Sequence, residues 1–263
     1  MSDGLAQWSR GLRRSSEFLG VAIFVFLYAP LALLVIYSFS AGRSLTFPIQ
    51  GFTLAWYVKL ANNEELLHAI GNSLKVAAGV IPLTLLLGVP AGYALGRFAF
   101  RGSGSINHLL TLPLMIPGII TGLSILLLLK NLGFGLSLWA VILGHSVAWL
   151  PVVIGQVAAR VRRLDPRIEE ASLDLGAGYA ETFLRVTLPN LWGAIIGSAL
   201  LVFTLSFDEV AITFLLTATE NTLPMQIWAM LRRGVTPEIC AVATLTVAAS
   251  GVLIVLGVRM GRR

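Results

Sequence analysis

Hydrophobic residues along the chain gather into six long runs separated by short polar stretches, at about 18–40, 70–96, 107–129, 136–158, 191–218 and 238–258. Runs of about 20 residues with few or no charges have the length a helix needs to cross a hydrocarbon core of ~30 Å. The pattern predicts an all-α membrane protein with six transmembrane helices. Between the first two runs, "GFTLAWYVKLANNEELLHAI" carries Trp56 and Tyr57 ahead of a mixed apolar and charged stretch. Two readings stay open there: a short helix lying at the outer membrane surface, or an ordinary polar loop.

Composition agrees with the pattern. Of 263 residues, 56% are hydrophobic and 12% charged, and mean hydropathy is +0.83; a soluble domain carries about a quarter charged residues. The net charge of +6 does not indicate nucleic acid, because the basic residues sit in short loops and at the termini. On one side of the predicted spans fall Arg10, Arg13, Arg14, Arg97, Arg101, Arg160, Arg162, Arg163, Arg167, Arg185, Arg259, Arg262 and Arg263. On the other side fall only Arg43, Lys59, Lys75, Lys130, Arg232 and Arg233. Excess Lys and Arg marks the cytoplasmic face, so both termini are expected there. The first run, Phe18 to Ser40, is longer than a cleavable signal's apolar core and reads as a retained span. The single cysteine, Cys240, permits no intrachain disulfide.

Two spans carry recognisable packing chemistry. Gly88, Gly92 and Gly96 in "GVPAGYALG" lie four apart on one helix face, which lets helix backbones approach closely in lipid. Pro82, Pro90, Pro113 and Pro117 free backbone carbonyls and bend helices.

The most polar internal segment is "ARVRRLDPRIEEASLDLGAGYAETFLRVTLPN", within 159–190. Asp165 before Pro166 reads as a helix start, and Glu169 and Glu170 then fall where the helix dipole favours negative charge. Gly176 and Gly178 are expected to end that helix. A second short helix over 179–187 and Pro189 at the start of the fifth span complete a helix–turn–helix. Such specific caps and turns suit a docking element for a cytoplasmic partner better than a solvated connector.

In that segment Glu170, Ala171 and Ser172, then Gly176, Val186, Leu188 and Pro189 keep the spacing of a signature found in permease subunits of ABC-type importers. The signature is glutamate-alanine-alanine, three residues, glycine, nine residues, isoleucine, one residue, leucine-proline; Ser172 and Val186 depart from it. "FTLAWYVKL", "HAIGNSLKVA", "LPLMIPGIITGLSILLLL", "LSFDEVAITFLL" and "TLPMQIWAMLRRGVTPEICAVATL" extend the likeness. Over nearly the whole chain it resembles the second permease of spermidine/putrescine-type importers, a group that also serves opine- and phosphonate-like substrates. The resemblance implies a type I importer permease fold in the bacterial inner membrane, with a coupling helix between spans four and five. It implies a heterodimer with a second, homologous permease, two ATP-binding subunits and a periplasmic binding protein that delivers a small-molecule substrate. Glu169, Glu170, Ala171, Ser172, Gly176, Val186, Leu188 and Pro189 would then dock the ATPase. The domain plan is a cytoplasmic 1–17, a first helix 18–40, a periplasmic loop 41–69, a five-helix core 70–258 with coupling loop 159–190, and a cytoplasmic 259–263.

Asp208 and Glu209 lie inside the fifth run, where an ionisable group faces a bundle or wet cavity by default. On a continuous helix Glu209 shares a polar stripe with Ser206, Thr213 and Thr217, while Asp208 shares a drier face with Thr204, Ile212 and Leu215. These acids, with Ser206 and Thr213, are candidates to line a path for a cationic substrate; holding the bundle together is the other reading. A polyamine suits them better than an anionic opine or phosphonate. His145 is expected to be a satisfied bundle residue, and His68 and His108 share no metal-ligand spacing with it. Lys75 and Lys130 snorkel; Met225 and Trp228 are either membrane anchors or contacts for the binding protein. No phosphate-binding G-x-x-x-x-G-K-[ST] loop occurs, so no ATP hydrolysis is expected in this chain, and no cofactor or metal is expected either. A proton-coupled secondary carrier is the competing class; it gives no reason for the register of Glu170, Gly176 and Leu188–Pro189.

Overall fold

The computed structural model describes residues 2–98 and 100–261, with side chains described over 16–98 and 100–252. Six arginines in the orientation argument, Arg10, Arg13, Arg14, Arg259, Arg262 and Arg263, lie outside the described side chains. Among the described residues the chain is almost wholly helical: α1 (Ser2–Tyr37), α2 (Ala55–Ala61), α3 (Glu64–Arg97), α4 (Ser103–Met115), α5 (Gly118–Asn131), α6 (Leu138–Arg162), α7 (Arg167–Asp174), α8 (Tyr179–Thr182), α9 (Leu188–Phe207), α10 (Ala211–Leu216), α11 (Leu223–Arg233) and α12 (Pro237–Gly261). A π-turn, Phe183–Thr187, joins α8 to α9. The chain divides into two compact units.

One unit comprises residues 1–62 and 230–248. Its apolar Ser16–Tyr37 stretch, 22 residues with mean hydropathy 2.7, spans about 33 Å at 1.5 Å per residue. The stretch presents Phe18, Phe24 and Phe26 outward. The polar segment after it is ordered by pairing Ser40 with Phe52. Trp56 Nε1 donates to the Ser40 carbonyl at 2.7 Å, the Tyr57 and Ser38 hydroxyls meet at 2.6 Å, and both aromatics lie on α2. A short helix therefore forms at Trp56 and Tyr57, and Lys59 on it pairs with Glu238 at 2.6 Å.

The other unit, residues 63–229 and 249–263, holds the core. Asn63 caps α3 by accepting from Leu66 N at 3.1 Å, with Glu64 and Glu65 in the first turn. Despite Pro82 and Pro90, α3 runs unbroken for 34 residues. Its glycine face packs on α6. A Cβ at Gly88 would lie 2.7 Å from the Val153 side chain, one at Gly92 2.8 Å from both Val157 and the Ile154 carbonyl, and one at Gly96 2.8 Å from Val161. Val80, Val141, Val153, Val157, Val161, Leu191, Val202 and Leu216 are buried in this core.

Among the described residues, four helical stretches, Ser16–Tyr37, Glu64–Arg97, Leu138–Arg162 and Tyr179–Phe207, are long and apolar enough to cross a membrane. The expected third span is instead a pair, α4 and α5, bent by 102°. Pro117 lacks an N–H and pushes the preceding residue out of the helical region, and Ile116 sits at φ −85°, ψ 131°. The expected fifth span is also broken: α9 ends at Phe207 and α10 begins at Ala211. Its other end is longer than expected, because α8, the π-turn and α9 form one continuous helix, Tyr179–Phe207. Pro189 does not interrupt it. The ladder widens into the π-turn just before the proline, which cannot donate its own bond. The sixth run lies in α12, 25 residues from Pro237 to Gly261, and is apolar over its described side chains, Pro237–Val252.

Candidate coupling loop and membrane carboxylates

The segment between α6 and α9 is built by local chemistry. Asp165 Oδ1 accepts from Arg167 N at 3.0 Å, so the expected cap forms. At the far end of α7, Gly176 adopts φ +90°, while Ala177 N bonds the Ser172 carbonyl and Gly176 N the Leu173 carbonyl. That is the paired closure of a Schellman motif. Gly178 plays a different part from the one expected, at φ −76° in extended backbone before α8. Ser172, a departure from the signature, bonds Thr182 through the two hydroxyls at 3.0 Å and so ties α7 to α8.

The two neighbouring glutamates point opposite ways, as consecutive positions about 100° apart on a helix can. Glu170 and Ala171 are exposed. Glu169, grouped with them on sequence grounds as a docking residue, is 8% exposed and turned inward. Its Oε1 accepts from Thr187 Oγ1 at 2.7 Å, and its Oε2 accepts from Tyr93 OH at 3.3 Å. Arg97 Nε lies 2.9 Å from the same Oε2. The Arg97 N–H is not aimed along the oxygen, so this contact is electrostatic rather than a directed hydrogen bond, and Nη2 is buried without a hydrogen-bond partner. Arg97 Nη1 donates to the Leu164 carbonyl at 3.3 Å. Removing one member of such a buried pair strands the other charge, at a cost of about 3–5 kcal/mol. Sequence reasoning missed this cluster. Its only signals were an arginine closing an apolar helix and an acid in a distant loop.

The rest of the signature splits by face. Gly176 and Pro189 are exposed; Val186 and Leu188 are half-buried. Beside Glu170 and Gly176, Leu175 is 90% and Tyr179 83% exposed, with Leu184 also outward. Three large apolar side chains are thus exposed on an otherwise polar loop.

At the break in the fifth run, Glu209 lies one residue before Val210, the N-cap of α10, and its Oε1 accepts from Ile212 N at 3.0 Å, satisfying a free donor of that helix. The same oxygen would lie 3.4 Å from a Cβ at Gly118, so the carboxylate also sits beside the first residue of α5, where a helix dipole favours negative charge. Asp208 is exposed and Glu209 half-exposed. The continuous polar stripe does not form. Ser206 and Thr213 are buried instead against His145, whose Nδ1 lies 2.8 Å from Ser206 Oγ and whose Nε2 lies 2.9 Å from Thr213 Oγ1. His145 is thus a satisfied bundle residue. Thr217 turns to the Glu220 carbonyl at 2.6 Å.

Residues 88–262 match the family described as binding-protein-dependent transport system inner membrane component. Among curated proteins, the putrescine transport system permease protein PotI of Escherichia coli (strain K12) is 40% identical over 241 residues, covering 88% of this chain and 84% of that protein. The spermidine/putrescine transport system permease protein PotC of Escherichia coli (strain K12) is 35% identical over 237 residues, covering 89% of each. Of solved structures, a bacterial ABC transporter involved in the import of the acidic polysaccharide alginate superposes with TM-score 0.70 at 16% identity, over 95% of this chain and 96% of that one. The MetNI methionine ABC transporter, in an inward-facing conformation, gives 0.64 at 17% identity over 75% and 94%. The fold is that of the ABC importer permeases, and the chain belongs to the family of binding-protein-dependent transport system inner membrane components, as a multi-pass, non-catalytic translocation subunit.

Proposed function

We propose that the chain is one permease of an ATP-driven importer that moves polyamines of the putrescine and spermidine class. The observation that carries this reading is the 40% identity, across 88% of the chain, to a putrescine permease. Two ATP-binding subunits supply the energy, a second, homologous permease completes the membrane unit, and a periplasmic binding protein delivers the substrate. Both termini, 1–17 and 259–263, are cytoplasmic, and 41–69 is periplasmic. The core 70–258 completes six spans, counting the bent pair and the broken fifth run as one each.

Within the coupling loop 159–190, the ATPase docks on the outward face: Glu170, Ala171, Gly176 and the exposed Leu175 and Tyr179. Ser172, Val186 and Leu188 shape that face from behind, and the exposed Pro189 flanks it. Support comes from the exposure of those apolar side chains on a segment otherwise closed by its own caps. ATP-driven movement of the docked subunits then shifts the balance between inward- and outward-open states. Asp208 and Glu209 line the path. A carboxylate in a low-dielectric passage attracts an ammonium group far more strongly than it would in water, so these acids favour a cation over an anionic opine or phosphonate. Ser206 and Thr213 serve the path indirectly, by fixing His145 behind the break.

The test is uptake of labelled putrescine and spermidine by cells making the complete transporter, comparing wild type with Glu209→Gln and Glu170→Ala. Glutamine keeps an acceptor for Ile212 N and removes the charge. Glu209→Gln is expected to lower uptake with assembly intact, and Glu170→Ala to lose the ATPase on purification. Wild-type cells that take up an opine or phosphonate and no polyamine would refute the substrate.

A further inference from the structure

Resting on the permease reading above, we propose that Arg97 and Glu169 form a latch that fastens the coupling loop to the C-terminal end of α3, a span that the loop does not join covalently. Arg97 is a positioning residue for energy coupling.

The chain connects α7 only to α6, through 163–166, and to α8, through a turn that reverses at Gly176 with φ +90°. Held by those connections alone, α7 would be free to rock without moving the bundle. The cluster removes that freedom. Arg97 holds the run-in to α7 through the Leu164 carbonyl at 3.3 Å and its first turn through Glu169 at 2.9 Å. Glu169 in turn binds Thr187 at 2.7 Å, in the π-turn that continues into α9. Tyr93, one turn before Arg97, bonds Glu169 at 3.3 Å and packs edge-on against Phe183 of the same π-turn, 5.1 Å between ring centres. Through its glycine face α3 is already close-packed on α6. The latch therefore joins α3, α6 and α9 to one docking helix, and a displacement delivered at the outward Glu170 moves all three together. The adjacent glutamates divide the work: Glu170 faces outward and Glu169 fastens the helix it sits on.

The test uses the complete complex in proteoliposomes and reads the stimulation of ATP hydrolysis by the binding protein, which presumes no particular cargo. Arg97→Gln and Glu169→Gln are expected to leave assembly and unstimulated hydrolysis unchanged and to cut the stimulation about tenfold, within the usual range of coupling between two sites. The double variant is expected to be no worse than either single, since the two residues act as one contact. Arg97→Lys keeps the charge without the planar fork and should restore part of the effect. If a single variant fails to assemble, Arg97→Met with Glu169→Met, which leaves no orphan charge, becomes the readout and should assemble with stimulation still reduced. Wild-type stimulation in assembled variants, or losses that add in the double variant, overturn the latch. A wild-type complex that is stimulated but moves neither putrescine nor spermidine refutes the substrate reading and leaves the latch to be judged on stimulation. A wild-type complex with no stimulation refutes the permease reading and the latch with it.

Discussion

Replacing Gly92 with alanine adds one methyl group at the place where α3 and α6 approach most unforgivingly. The new Cβ would lie 2.8 Å from the Ile154 carbonyl oxygen and 2.8 Å from Val157 Cβ. Ordinary contact lies nearer 3.5–4.0 Å, so the helices must part by roughly an ångström. A backbone carbonyl cannot swing aside as a side-chain end can. Separation also loosens the neighbouring contacts at Gly88 and Gly96, because a gap of 0.5–1 Å forfeits about a quarter to a half of each dispersion well. Overpacking of this kind costs about 1–3 kcal/mol, set against at most about 1 kcal/mol gained from alanine's better helix propensity. Gly155→Ala on α6, where nothing lies within 4 Å, keeps the gain and escapes the cost. In thermal unfolding of the detergent-purified chain, Gly92→Ala should melt several degrees below wild type, at about 2–4 °C per kcal/mol for a chain of this size. Gly155→Ala should melt at or above wild type. Equal melting of the two variants would refute close packing through the glycine face.

Two further substitutions probe other elements. His145→Phe strands the hydroxyl of Ser206 in the core, while Thr213 keeps its bond to the Glu209 carbonyl; one unsatisfied buried group costs about 1–3 kcal/mol, and the same melting assay should register the loss as a drop of several degrees. Gly176→Ala places a side chain at φ +90°, which costs about 1–2 kcal/mol, so limited proteolysis of the purified chain should cut the coupling loop faster than in wild type.

The six apolar runs, the glycine face and the caps of α7 were legible because each rests on a local spacing. Asp165–Pro166 and Gly176 carry their conformations in their own chemistry, and the structure adopts both. The breaks were harder to read. An apolar run has the same composition whether its helix is straight or interrupted, so the gap at 208–210 does not stand out, while Pro117 marks a bend in the third run without setting its 102° angle. "FDEVAITF" did hold a signal, since an acid three residues before a bonded N–H is the geometry of a cap. On an intact helix the same spacing also makes a polar stripe, so the signal is ambiguous in sequence alone. Pro189 misled in the opposite sense, because a boundary expected at a proline was absorbed by a π-turn. The inward course of Glu169 was not readable at all. Its partners Tyr93, Arg97 and Thr187 come from the end of one span and the start of another, and no sequence spacing joins them.

The central claim, that this permease moves polyamines at the expense of ATP hydrolysed by partner subunits, is tested most directly in proteoliposomes holding both permeases, with ATP inside and the binding protein outside. Labelled putrescine uptake is measured with and without the ATP-binding subunits. The account predicts uptake only when those subunits are present. Uptake that persists without them would contradict the account and establish a secondary carrier in its place.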